Sequence, residues 1–209
     1  MEENQNRATS EQIAKLCRKV AAQGAVLLKN EDAALPLLES DHVAVFGRCQ
    51  KEYYRSGTGS GGAVNVLYTT NLLDGLRDNG ICLNEELVDY YEKWILAHPY
   101  DNGGGGWASE PWCQQEMPVS KELVAKTAAI SNKAVVVIGR TAGEDKDNAA
   151  TEGSYYLTET EHEILDNVCG SFAHVIVVLN VGNIIDMNFV QNNTCLLYTS
   201  PSPRDRTRS

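Results

Sequence analysis

The sequence contains few basic residues relative to its acidic ones. It has 18 lysine and arginine residues against 28 aspartate and glutamate residues, which gives a formal net charge of -10. Nucleic acids and anionic membranes usually select for a basic protein surface. The charge therefore predicts that neither nucleic acid nor membrane is a partner, and it favours a neutral or cationic ligand.

The sequence also lacks a targeting segment and a long apolar run. Its first twelve residues contain no apolar core of the signal-peptide type. No run reaches the roughly 18 apolar residues that a membrane-spanning helix needs. We therefore expect a soluble, cytoplasmic chain. Its 209 residues, of which 43% are hydrophobic, are enough for one substantial core.

The six cysteines lack the close spacing of a metal site or a disulfide framework. They are scattered along the chain without a CxxC pair or nearby histidine partners. Such scattering is typical of free thiols. We expect thiols that are mostly buried, and no metal ion bound by them.

Apolar strand patterns alternate with helical patterns. The clearest strands are the Val- and Ile-rich runs at 42–47, 134–139 and 174–182, while residues 84–98 repeat apolar side chains at helical spacing. Buried strands separated by helices are typical of a parallel sheet covered on both faces. The predicted fold is α/β, a three-layer α/β/α sandwich with a mainly parallel sheet.

The two ends of the chain differ from this pattern. We expect residues 1–9 to be disordered and the sandwich domain to span 10–194. The last segment, "CLLYTSPSPRDRTRS" at 195–209, has two prolines, three arginines and no periodicity. It resembles a translated sequencing adapter. We therefore predict a non-native, functionless tail, with the natural sequence interrupted near Thr194.

Two loops are expected at the carboxyl ends of strands. The acidic stretch "RTAGEDKDNAATEGSYYLTETEHE" at 140–163 follows one strand, and the glycine-rich "RSGTGSGGAV" at 55–64 follows another. In parallel sheets such loops face one common crevice, where ligands bind. The glycine-rich loop lacks the lysine of a P-loop and the GxGxxG spacing of a dinucleotide site. Both loops are therefore predicted to line one crevice, which is neither a phosphate-binding P-loop nor a dinucleotide site.

Five motifs occur in a recognisable order, and together they span about 10–190. They are "GAVLLKNEDAALPL", "VAVFG", "SGTGSGGAV", "AVVVIGRTAGEDKDNAATEGSYYLTETEHEIL" and "VIVVLNVGNIID". This order resembles the α/β sandwich domain of family 3 glycoside hydrolases, the retaining β-glucosidases and their relatives. The resemblance implies that the sandwich packs against a (β/α)8 barrel, with the active site in the cleft between them. The barrel would supply an aspartate nucleophile, and a sandwich loop the acid/base glutamate.

The resemblance places the acid/base residue at Glu144, directly after Gly143. A glycosidic oxygen leaves readily only when a carboxylic acid protonates it, and a second carboxylate must capture the anomeric carbon. Such an acid needs a raised pKa near neutral pH, which a dry cleft and a neighbouring carboxylate such as Asp145 provide and an exposed loop does not. Other acids of the loop remain candidates: Asp145, Asp147 and Glu152.

Several further side chains have candidate roles in sugar binding. The resemblance implies that the glycine-rich loop borders the substrate cleft, although it could also be a plain flexible turn. Its candidate substrate-binding residues are Arg55, Ser56, Thr58 and Ser60. Aromatic residues that could stack on a sugar, or simply pack, are Tyr53, Tyr54, Trp107 and Trp112. His174 is expected to be structural. Glu159 and Glu161 are expected to be solvated or to interact with the dipole of a helix N-terminus.

The order of the domains departs from the commonest one in the family. The sandwich motifs begin close to Met1, so the chain resembles members with reversed order, in which the barrel would follow Val190 and is missing here. The intact parent is expected to hydrolyse terminal, non-reducing β-linked sugars, β-glucosides in particular, without a metal or organic cofactor. The fragment alone is expected to be inactive. A non-catalytic carbohydrate or small-ligand module, or a flavodoxin-like regulatory domain, remains the alternative, since fold alone does not fix function.

Overall fold

A computed structural model describes residues 2–30, 34–60, 62, 66, 68–190 and 196–199, with side chains described from residue 11 to 190 within these ranges. The helices are α1 (Glu2–Gly24), α2 (Leu72–Asp78), α3 (Glu85–Ala97), α4 (Lys121–Ala128) and α5 (Glu159–Cys169). The strands are β1 (Val26–Leu27), β2 (His42–Phe46), β3 (Cys82–Leu83), β4 (Lys133–Arg140), β5 (Val175–Val181) and β6 (Leu196–Thr199).

The strands form one sheet in the order β1-β6-β5-β4-β2-β3. Five strands, β3, β2, β4, β5 and β6, are parallel, and the short β1 is antiparallel to β6. In the longest pairing, β4 runs beside β5 from Ala134 opposite Val175 to Arg140 opposite Val181. The prediction of a mainly parallel α/β sheet is therefore confirmed.

The two faces of the sheet bury separate apolar clusters because side chains alternate along each strand. On one face Phe46, Val136 and Val177 pack under α3, α4 and α5. On the other face Val45, Val137 and Val178 pack against α2 and the 34–37 segment. Every residue of β4 is buried, as expected for the central strand of a layered sandwich.

Local sequence signals fix the ends of several helices. Thr158 caps α5 by accepting a hydrogen bond from the Glu161 backbone, and the Glu161 carboxylate accepts one from the Thr158 backbone. Thr158 and Glu161, with the Thr-x-x-Glu spacing of a capping box, therefore form one at the start of α5. Asn71 and Asp74 form the same reciprocal pair at the start of α2.

The amino-terminal segment differs from its prediction. The sequence predicts disorder over 1–9, but helix α1 already begins at Glu2. The segment contains no glycine or proline and includes glutamate, glutamine, arginine and alanine, which favour helix. None of the helices in the described ranges is long and apolar enough to cross a membrane.

The cysteines are free, but their burial differs from the prediction. The five cysteines within the described side chains form no disulfide. Of these five, Cys49 is buried, while Cys17 and Cys82 are exposed and the other two are intermediate. Alternation in the short β3 directs Cys82 outward while Leu83 faces the core.

The segment predicted as a non-native tail contributes backbone to the sheet. Leu196–Thr199 forms β6, which pairs with β5 on one side and with β1 on the other. Its residues are of the kind that extended strands accept. The rest of that segment, Cys195 and 200–209, lies outside the described residues, and its non-native origin remains a prediction.

Candidate active site at the carboxyl edge of the sheet

The two predicted loops meet above the carboxyl ends of β2 and β4. The Thr58 N–H donates to the Ala142 carbonyl at 2.8 Å, and the Glu144 N–H donates to the Thr58 carbonyl at 3.4 Å. Thr58 and Gly143 thereby form a short parallel bridge. The two loops are thus held together by backbone hydrogen bonds.

Gly143 is required by this close approach. A Cβ at this position would lie 2.1 Å from the Thr58 hydroxyl oxygen and 2.3 Å from its backbone nitrogen. Both distances are far below van der Waals contact. A side chain here would therefore separate the two loops and displace the residue that follows, Glu144.

Glu144 itself is exposed at the rim of the crevice. Its carboxylate accepts hydrogen bonds from the Ser60 backbone N–H at 3.3 Å and from the Ser60 hydroxyl at 3.1 Å. The Thr58 hydroxyl donates to the Glu144 carbonyl at 3.2 Å. Two of the predicted sugar-binding residues, Ser60 and Thr58, thus contact the predicted acid directly.

A groove of about 610 Å³ lies beside this contact. Three predicted sugar-binding residues line it, namely Arg55, Ser56 and Thr58. Ser60 and Glu144 border it next to the lining residue Gly59, where an added Cβ would lie 2.9 Å from a Glu144 carboxylate oxygen. The structure therefore brings Glu144 and all four residues to one place.

The loop that follows α3 also lines the groove. Trp107 lines it, and its indole N–H donates to the Asp145 carboxylate at 2.8 Å. Asp145 is one of two non-glycine residues in the described ranges with positive φ, at 56°. The hydrogen bond to Trp107 holds this less favoured backbone conformation directly beside Glu144.

The other candidates differ in their positions. Trp112 donates to the Asp147 backbone carbonyl at 3.0 Å, and the Lys146 ammonium lies 4.7 Å from the centre of its ring. Trp112 therefore packs against the acidic loop and does not line the groove. Glu152 is exposed near the far end of that loop. Tyr53 and Tyr54 line the groove and also pack against the core.

A buried ion pair below the acidic loop was not anticipated from the sequence. The Arg140 guanidinium donates to both carboxylate oxygens of Glu161, at 2.6 and 2.7 Å. Glu161 is 8% exposed and caps the first turn of α5, so of its two predicted roles it has the one at the helix N-terminus and is not solvated. Burial opposes the charge on Arg140, but the hydrogen bonds to Glu161 and the negative charge of Glu161 together outweigh it and raise the arginine pKa. In the sequence, the capping-box spacing of Thr158 and Glu161 indicates that Glu161 interacts with the helix start. It does not indicate that Arg140 is its partner.

A half-buried carboxylate, Glu116, lies close by. Glu116 accepts hydrogen bonds from the backbone N–H groups of Arg48, at 2.8 and 3.1 Å, and of Met117, at 2.8 Å. Burial raises its pKa to about 7 despite these hydrogen bonds, and the charge of Glu161 adds to the rise. In the described part of the chain, no group of three or more His, Cys, Asp or Glu side chains could hold a metal ion.

A layered, mainly parallel sheet with helices on both faces defines the chain as an α/β sandwich domain. The sequence profile of the Glycosyl hydrolase family 3 C-terminal domain matches residues 25–200. The chain therefore belongs to this family, as the motif order predicts.

The relatives that match are β-glucosidases. A β-glucosidase of Ruminococcus albus is 50% identical over 172 residues, covering 82% of this chain and 18% of the relative. The solved structure of a β-glucosidase from Paenibacillus barengoltzii superposes with a TM-score of 0.84 at 57% identity, over 87% of this chain and 20% of that one. The structure of β-glucosidase 3B from Thermotoga neapolitana, solved with α-D-glucose, superposes with a TM-score of 0.79 at 30% identity. The match covers 90% of this chain and 27% of that one. This chain thus spans about a fifth to a quarter of the relatives it matches.

Proposed function

We propose that this chain is part of a retaining β-glycosidase, in which it supplies the acid/base carboxylate of Glu144 to a cleft shared with a (β/α)8 barrel. The observation that carries the proposal is the position of Glu144. It lies at the rim of a groove at the carboxyl edge of the sheet, held by Thr58 and Ser60. Membership of the family and the β-glucosidase relatives make β-glucosides the proposed substrates.

Glu144 can perform both proton transfers of such a reaction. In the first step its carboxylic acid would protonate the departing glycosidic oxygen while an aspartate of the barrel attacks the anomeric carbon. In the second step its carboxylate would accept a proton from the water that releases the sugar. The two carboxylates of a retaining enzyme lie about 5–5.5 Å apart. The Glu144 carboxylate is exposed in this chain, so the barrel would have to close over it to exclude water.

The groove is the proposed place for the part of the substrate beyond the scissile bond. Arg55, Ser56 and Thr58 offer hydrogen-bonding groups, and Trp107 offers an indole. Such a mixture suits the polar edge and apolar face of a sugar ring. On this proposal Asp145 orients Trp107 and does not act as the acid, because its carboxylate accepts the indole N–H.

The proposal is tested in the full-length parent with a Glu144→Ala substitution. Loss of the acid should lower kcat/KM on an alkyl β-glucoside by about 10²–10⁴-fold, with a much smaller loss on an activated aryl β-glucoside, whose leaving group needs no proton. Asp147→Asn is the matched control, since it removes a carboxylate of the same loop and should leave both rates near wild type.

Unchanged hydrolysis of the alkyl glucoside by the Glu144→Ala parent would exclude the acid/base role. The 209-residue chain alone should hydrolyse neither substrate, because it lacks the proposed nucleophile. Measurable turnover by the purified chain would contradict the proposed division of the two carboxylates.

A further inference from the structure

The acidic loop that carries Glu144 is closed at its base by one side-chain pair. The loop leaves β4 after Arg140 and ends at Thr158, the cap of α5. Arg140 is the last residue of the strand, and Glu161 lies in the first turn of the helix. Their bidentate ion pair joins the two elements from which the loop emerges, with the side chains only 2% and 9% exposed.

All the donors of this guanidinium are occupied. Besides the two bonds to Glu161, Arg140 donates to the carbonyls of Gly139 at 2.7 Å, Ser154 at 3.1 Å and Tyr156 at 3.2 Å. An arginine has five N–H donors in a fixed plane, and here each has an acceptor. The returning half of the loop is therefore held to the end of β4 in one orientation.

The contacts continue from this base toward Glu144. The Ser154 hydroxyl, whose backbone carbonyl Arg140 holds, donates to the Asn148 side chain at 2.7 Å and accepts from the Ala149 N–H at 3.0 Å. On the outgoing side, the Thr141 N–H donates to the Trp112 carbonyl at 2.7 Å. Each half of the loop is thus fixed within a few residues of Glu144.

We propose that Arg140 and Glu161 are positioning residues for acid catalysis, which hold the loop so that the Glu144 carboxylate meets the leaving-group oxygen. This inference rests on the proposed acid/base role of Glu144. A displacement of about 1 Å can cost about 100-fold in rate. The pair therefore acts on the reaction through loop geometry, without touching the substrate.

A purely structural pair would lower the amount of folded enzyme and reduce the rates on all substrates by the same factor. A positioning pair affects chiefly the substrate that needs the proton. The discriminating quantity is the ratio of kcat/KM for an activated aryl β-glucoside to that for an alkyl β-glucoside. This ratio is independent of the fraction of molecules that fold, because both rates come from the same active molecules.

The experiment measures this ratio in the full-length parent carrying Glu161→Gln. Glutamine keeps the shape of the side chain but removes the charge that faces Arg140. We expect the ratio to rise about 10- to 100-fold. Arg140→Lys, which keeps the charge but loses the planar fork, should shift the ratio in the same direction. Glu161→Asp supplies the same measurement if the glutamine variant does not fold.

The matched control is Asp41→Asn. Asp41 and Lys133 form another buried ion pair, at 2.9 Å, but at the amino ends of β2 and β4. Its loss should destabilise the domain and leave the ratio at the wild-type value. A wild-type ratio in the Glu161 and Arg140 variants would overturn the positioning role. Glu144→Ala, measured alongside, separates the two proposals: if it also keeps the wild-type ratio, the proposed function itself fails.

Discussion

At the scale of single residues, three glutamates in or near the crevice have different surroundings. Glu144 is exposed and bound by Ser60, Glu161 is buried and paired with Arg140, and Glu116 is bound by backbone N–H groups. Their roles therefore differ although the side chain is the same. Exposure suits a group that must meet a substrate, and pairing suits one that fixes a loop. The surroundings of Glu116 lead to a prediction about pH.

Glu116 should make the stability of the domain depend on pH. Its folded-state pKa of about 7 exceeds the ordinary value of 4.5. The folded state therefore binds this proton more tightly, and the free energy of unfolding should fall as pH rises from about 4.5 to about 7. Glu116→Gln should remove this pH dependence. Relative to wild type, the free energy of unfolding of the variant should therefore be higher at pH 8 than at pH 5 by roughly 1–3 kcal/mol.

Urea unfolding of the wild-type and variant chains at pH 5 and pH 8 measures this effect. The control is Glu163→Gln, which removes the same charge from an exposed position of α5 and should keep the wild-type slope. Parallel pH dependences in wild type and Glu116→Gln would show that Glu116 does not cause the slope.

At the scale of elements, the turn after β2 depends on Gly47. This residue has φ of 95°, and its N–H donates to the Tyr91 hydroxyl of α3 at 2.8 Å. A Cβ there would lie 2.2 Å from the Val137 carbonyl oxygen of β4. Gly47→Ala should therefore destabilise the domain by about 2 kcal/mol or more, from backbone strain together with the steric clash.

Thermal and urea unfolding of the chain check this value. Gly75→Ala is the control, because Gly75 lies inside α2 with no atom within 4 Å of an added Cβ. That variant should gain about 0.5–1 kcal/mol from the higher helix propensity of alanine. Equal effects of the two substitutions would contradict the steric account of Gly47.

The elements were largely predictable because their signals are local. The Val-rich runs predicted β2, β4 and β5, and the spacing of Thr158 and Glu161 predicted the start of α5. The predicted disorder before Ser10 differs from the helix that the structure has there, although the residues of that segment favour helix. The strand formed by Leu196–Thr199 was missed because only pairing with β5 and β1 defines it.

The site was predictable only in part. The loops containing Thr58 and Glu144 could be assigned to one crevice, because the carboxyl ends of parallel strands share an edge. The contacts of Trp107 with Asp145 and of Arg140 with Glu161 depend on tertiary packing, and the sequence alone gave no sign of either pair. The acid/base role of Glu144 was predicted only from the order of the motifs, because an exposed acid in a loop is usually just solvated.

At the scale of the whole molecule, the chain spans only a small part of the length of the relatives it matches. Its match covers 18% of the Ruminococcus albus β-glucosidase and 20% of the Paenibacillus barengoltzii enzyme. Apolar side chains are exposed on α1 and on β1, among them Ile13, Leu16 and Val26. Glu144 is exposed beside the groove, and on the proposed function the nucleophile would come from a barrel domain.

The central claim is that Glu144 is the acid/base residue and that the nucleophile lies elsewhere. Its most direct test uses azide with the Glu144→Ala parent and an activated aryl β-glucoside. Without its base, the second step should be slow, and azide needs no base to attack the glycosyl-enzyme intermediate. We predict that azide restores turnover and that the product is β-glucosyl azide, identified by nuclear magnetic resonance. An azide-independent rate with glucose as the product would contradict the role of Glu144.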